Sequence, residues 1–141
     1  IRTAISYYTL IKDDAGVAVS RYDMALVYTS NKNYDSAIHY LQLAKNTWVP
    51  TGNTFRLFGI NNALLKAYLA IGNLEQTSAL IEENSELLIK GRVFYKEQLK
   101  FYLHSEKYYA KTGKKQPRMQ YKNKYVQMTD SLEQKGIYIK D

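Results

Sequence analysis

Apolar residues recur at helical spacing along almost the whole chain, and polar breaks divide them into segments. Ile5, Tyr8 and Ile11 form the first set, over residues 1–12. Phe58, Leu64, Leu65, Tyr68 and Ile71 form another, followed by Leu74, Leu80, Ile81, Leu87 and Leu88. Phe94, Leu99, Tyr102, Leu103, Tyr108 and Tyr109 continue the period, and Tyr121, Tyr125, Met128 and Leu132 close it as one narrow seam. The breaks fall near residues 14, 31, 51, 72, 91 and 114. Together they predict an all-α chain of about seven helices: 1–12, 17–30, 34–47, 54–71, 74–90, 92–112 and a last one starting near Pro117 and ending before Gly136.

The helix ends carry their own signals. Asn33 and Asn73 can each cap the helix that follows, because a short side-chain oxygen can accept an amide hydrogen of the first turn. Gln76 has the spacing of a capping partner for Asn73, and Asp35 adds a favourable charge to the helix dipole. Pro50 disfavours a helical Val49, and Gly52 permits a turn. Gly72 fits a helix C-terminus that needs positive φ. Pro117 is tolerated in a first turn, where its missing amide hydrogen has no partner to lose.

Between Met24 and Ala44, small residues at Ala25, Ala37 and Ala44 alternate with large ones at Met24, Tyr28, Tyr34 and Leu41. Two short antiparallel helices with closely crossing backbones need that alternation. Tyr28 recurs as Tyr68 and Tyr108, at steps of 40 residues. The segment resembles one tetratricopeptide repeat, with Ala25, Ala37 and Ala44 at the family's small positions and Tyr34 at its turn tyrosine. The resemblance implies a right-handed superhelical stack of antiparallel hairpins: repeat 1 over 17–50, repeat 2 over 54–90 and repeat 3 over 92–136. Residues 1–12 would be the second helix of a preceding repeat, in an array continuing beyond this chain, and 137–141 the start of a linker. The step of 40 exceeds the family's usual length of about 34, so the extra residues are placed at 48–53 and 88–92. Thr77 and Asn84 stand where the first hairpin has Ala37 and Ala44, which implies looser packing or a polar contact at 84.

Composition narrows the function classes. The chain of 141 residues has no cysteine, which removes disulfide scaffolds, thiol nucleophiles and cysteine-held metals. No run of about 18 apolar residues exists to span a bilayer. The net charge is +7, but residues 90–124 alone hold eleven Lys and Arg against Glu97 and Glu106. Such a segment is either a solvated face or a surface for an acidic partner, nucleic acid or an anionic membrane.

Catalysis finds little support. His39 and His104 are far apart in sequence, and no metal, phosphate-loop or nucleophile motif occurs. Asp13-Asp14 and Glu82-Glu83 are adjacent pairs whose side chains diverge on a helix, so no catalytic residue, metal ligand or cofactor is expected. Fourteen tyrosines are the unusual feature. Most sit at core spacing, while Tyr22, Tyr102 and Tyr109 fall on the face that lines the family's concave groove.

Aligning Tyr28, Tyr68 and Tyr108 carries the groove onto Tyr22, Asp23, Leu26 and Thr29, onto Asn62, Lys66 and Leu69, and onto Leu99, Tyr102, Glu106 and Tyr109. The family's clamp for acidic chaperone tails is absent, because Tyr22, Leu26, Ala63, Leu99 and Leu103 occupy its positions. The ending Tyr125-x-x-Met128-x-Asp130-Ser131-Leu132 is similar to bacterial sensor-regulators in which such arrays precede an output domain. The resemblance implies a non-catalytic module for a protein or peptide partner, in the periplasm or cytoplasm, within a larger signalling or transcription regulator. The alternative is a nucleic-acid-binding repeat using residues 90–124. Ile5, Tyr8 and Ile11 would leave an apolar face for self-association.

Overall fold

The computed structural model describes residues 3–6 and 14–139. Among these residues the chain is all-helical, with no strand. Residues 3–6 are helical, and six longer helices follow: α1 (Asp14–Ser30), α2 (Tyr34–Trp48), α3 (Thr54–Ile71), α4 (Leu74–Lys90), α5 (Tyr95–Thr112) and α6 (Lys115–Gln134). This makes the seven helical segments that the periodicity predicts. Tyr8 and Ile11, on which the expected self-association rests, lie outside the described residues.

The chain divides into two compact units, residues 1–92 and 93–141. In the first, α2 packs on α1 and α3, and α4 packs on α3. Ala25, Ala37 and Ala44 are fully buried together with Leu41, so the small residues do bring the helix backbones close. Phe58, Leu64 and Leu65 fill the middle of the unit with no exposed surface, each stabilising it by about 1.5–3 kcal/mol through apolar burial. In the second unit α5 packs on α6. Every residue of α6 is exposed except Pro117, Tyr121, Tyr125, Met128, Thr129 and Leu132, which is the seam read from the sequence plus two neighbours.

The burial pattern repeats. Val17, Ala18, Ser20, Met24 and Ala25 of α1 are buried, and so are Leu57, Phe58, Ile60, Leu64 and Leu65 of α3, each 40 positions on. Ala37, Leu41 and Ala44 of α2 match Thr77, Ile81 and Asn84 of α4 at the same step. From α3 to α5 the step becomes 41: Phe58, Ile60, Asn61, Leu64 and Ala67 match Leu99, Phe101, Tyr102, Ser105 and Tyr108.

The turns confirm that register. Lys32, Gly72 and Gly113 occupy the left-handed position at φ 59°, 77° and 73°. The next amide, of Asn33, Asn73 or Lys114, donates to the carbonyl of Tyr28, Tyr68 or Tyr109 at 2.8, 2.9 and 3.0 Å. Tyr109, and not Tyr108, is therefore the third member of the tyrosine series.

The caps form as expected at Asn33 and Asn73, whose Oδ1 atoms accept from the Ser36 and Gln76 amides at 3.4 and 3.2 Å. Three boundaries differ. Asp14, Ala15 and Gly16 belong to α1 rather than to a break. Val49 is helical despite preceding Pro50, because the Val49 amide still bonds to the Lys45 carbonyl and the chain tightens there into a 3-10 turn, Val49–Thr51. The fifth long helix begins at Tyr95 instead of Arg92, since Phe94 is extended and the Gln98 side chain donates to the Val93 carbonyl at 2.6 Å.

Candidate interaction surface

The residues expected to line a groove fall into two groups once their surroundings are seen. Asp23, Leu26 and Lys66 are exposed, and Tyr22 and Thr29 are half-buried. These sit on the outward sides of α1 and α3, where a partner can reach them.

Asn62 and Leu69 are interior residues. Asn62 belongs to a buried amide cluster that joins α3 to α4. The Asn61 Nδ2 donates to the Asn84 Oδ1 at 2.9 Å, and the Asn84 Nδ2 donates to the Asn62 Oδ1 at 3.2 Å and to the Phe58 carbonyl at 3.4 Å. The polar contact expected at Asn84 is thus real, and it uses up the face of Asn62 that a groove would need. Asn61 Oδ1 is left inside this cluster with no partner.

Tyr102, Glu106 and Tyr109 require the larger correction. They face α6. Tyr102 is only 7% exposed and lies against Phe101 and Tyr121, with ring centroids 6.1 and 6.2 Å away. Tyr109 stacks on Tyr121 at 5.7 Å and 15°, and Glu106 accepts from the Arg118 Nε at 2.8 Å. Leu99 is buried as well. The physical reason is the one-residue change of step, which moves the buried stripe of α5 by about 100° around its own helix from the positions a strict 40-residue repeat would bury. In the register set by the turns, the positions matching Asn62, Lys66 and Leu69 are Leu103, Lys107 and Ala110, and all three are exposed.

The inward placement of Tyr102 has an electrostatic consequence. Burial, with the neighbouring Tyr121 hydroxyl second, pushes its hydroxyl above the ordinary value of 10.0, because a phenolate would lose hydration there. Lys124 covers the outer side of the cluster, its Nζ 5.1 Å from the Tyr121 ring centre and 6.0 Å from that of Tyr102.

No protein-family model matches the chain, and no curated protein or solved structure matches it.

Other candidate chemistry resolves locally. Glu82 is exposed while Glu83 pairs with Lys45 of α2 at 2.8 Å, so the adjacent carboxylates do point apart. His39 is exposed and lies edge-on to the Tyr40 ring at 5.1 Å. Among the described residues no group of His, Cys, Asp or Glu is placed to hold a metal ion, and no helix is long and apolar enough to cross a membrane.

Sequence reasoning missed a surface feature of α5. Lys96, Lys100, Leu103, Lys107 and Lys111 are all exposed and follow one another at offsets of four, three, four and four. The signal was present as a helical period in charge, hidden by treating residues 90–124 as one undivided basic segment.

Proposed function

We propose that the chain is a non-catalytic protein–protein interaction module, built of tetratricopeptide-like helical hairpins that stack right-handedly. Its role is the scaffolding or sensory part of a larger bacterial signalling or transcription regulator. The observation that carries this reading is the recurrence of one burial pattern and one turn at steps of 40 and 41 residues. Helices that bury the same stripe at a fixed step, as α1, α3 and α5 do, are the units from which helical arrays build continuous recognition surfaces.

Photo-crosslinking in the native cell tests the reading. A crosslinking amino acid at Leu26 or Lys66, both exposed at matching positions of α1 and α3, should give the same discrete protein adduct. One at Ile89, 87% exposed near the end of α4, should not. Equal adducts at all three positions, or none at Leu26 and Lys66, would discard it.

A further inference from the structure

We infer that the outward face of α5 is a binding strip for an acidic polypeptide segment carrying an apolar side chain. The inference rests on the interaction-module reading and gives its partner a chemistry. Lys96, Lys100, Lys107 and Lys111 fall within an arc of about 60° and extend over about 22 Å of helix, all of them exposed. Leu103 lies midway along the strip and at one edge of its arc, 39% exposed. The opposite side of the helix carries the buried Phe101, Tyr102, Ser105 and Tyr108, so the helix has one packed face and one cationic face. In the register of the turns, Leu103 and Lys107 hold the positions that Asn62 and Lys66 hold in α3.

Two lysines before and two after one aliphatic side chain complement carboxylates flanking an apolar residue. Lys100 already shows the contact in miniature, donating to the Glu97 carboxylate at 3.3 Å. A single-stranded nucleic acid fits the strip less well for two reasons. Stacking of bases needs open aromatic faces, whereas Tyr102, Tyr109 and Tyr121 are occupied by one another and by Lys124. Bidentate phosphate recognition favours arginine, whereas every cation of the strip is a lysine.

The test is fluorescence anisotropy on the whole 141-residue chain with two labelled probes. One is a synthetic twelve-residue peptide of Glu and Asp with one central Leu, and the other a fifteen-nucleotide oligothymidine. The peptide should bind, and Lys100→Glu/Lys107→Glu should weaken it at least roughly ten-fold. The charge-matched Lys115→Glu/Lys122→Glu, exposed on α6, should change it less than about two-fold, and replacing the peptide's Leu with Ser should weaken it.

If the reversal variant loses its helical circular dichroism, Lys100→Gln/Lys107→Gln takes its place, with a smaller loss expected. Equal losses in the α5 and α6 variants would overturn the strip, as would absence of peptide binding or tighter binding of the oligonucleotide with a steep salt slope. Absence of peptide binding with the Leu26 and Lys66 adduct still formed would overturn the strip while leaving the interaction-module reading intact.

Discussion

Asn84 and Asn61 meet inside the first unit, where the Asn61 Nδ2 donates to the Asn84 Oδ1 at 2.9 Å and both side chains are fully buried. Asn84 also serves Asn62 and the Phe58 carbonyl, so one side chain of α4 satisfies three groups of α3. Asn84→Ala restores the small residue that Ala44 supplies in the first hairpin, yet it removes the buried hydrogen bonds to Asn61, Asn62 and the Phe58 carbonyl. It should destabilise the chain by about 2–4 kcal/mol. Urea denaturation measures it, and a change within error of zero would mean that water replaces the lost amide.

Tyr102→Ala and Tyr108→Ala should cost similar amounts, about 3–5 kcal/mol each. Both rings are buried, at 7% and 8% exposure. Tyr102→Phe should be mild, because its hydroxyl makes only a long bond to the Gln98 side chain at 3.4 Å. Thermal denaturation of the three variants decides, and a Tyr102→Ala protein melting like the parent would return Tyr102 to the surface.

Alkaline pH should unfold the chain partly through Tyr102. Its folded-state hydroxyl titrates above 10.0 while the unfolded one titrates near that value. The unfolded state therefore releases its proton first, and this contribution is fully present below about pH 10 and lost as pH rises above it. The difference in melting temperature between parent and Tyr102→Phe should shift against the parent from about pH 9 to about pH 11. A difference independent of pH over that range would remove the assignment.

Lys32 is the one non-glycine residue at positive φ among those described, at 59°, in the turn where the other hairpins use Gly72 and Gly113. Its exposed side chain has little to lose. Lys32→Gly should therefore stabilise the chain by about 0.5–1 kcal/mol, relieving the left-handed backbone cost of an L-residue. Chemical denaturation showing a loss instead would mean that the lysine side chain contributes more than its exposure suggests.

The helices were legible because their ends are written in local chemistry. Asn33, Asn73 and Gly72 act within four residues of themselves, and no tertiary knowledge is needed to read them. The facing of α5 was not legible from its tyrosines, since Tyr108 and Tyr109 are adjacent and either can follow Tyr68. The better ruler was the spacing from Gly72 to Gly113, because backbone conformation at a turn admits fewer residue types than a half-buried ring position. Asn62 misled for a different reason. A polar residue on a helix reads as surface unless its partner is known, and Asn84 lies 22 positions away. Val49 shows the limit of a purely local rule, as the preference before proline yielded to a backbone bond already in place.

The amide cluster has a consequence for how the chain finds its fold. The two hairpins of the first unit bury nearly the same pattern, which invites α2 and α4 to exchange partners during folding, a known failure of repetitive sequences. Seating α2 on α3 in place of α4 would bring Ala44 to Asn61 and Asn62, where it cannot replace the hydrogen bonds of Asn84. Seating α4 on α1 would press Asn84 against Arg21 and Tyr22, which hold the positions of Asn61 and Asn62 forty residues earlier. The first exchange would forgo the hydrogen bonds that Asn84 makes to Asn61 and Asn62, so the asparagines favour the native pairing between two otherwise similar pieces.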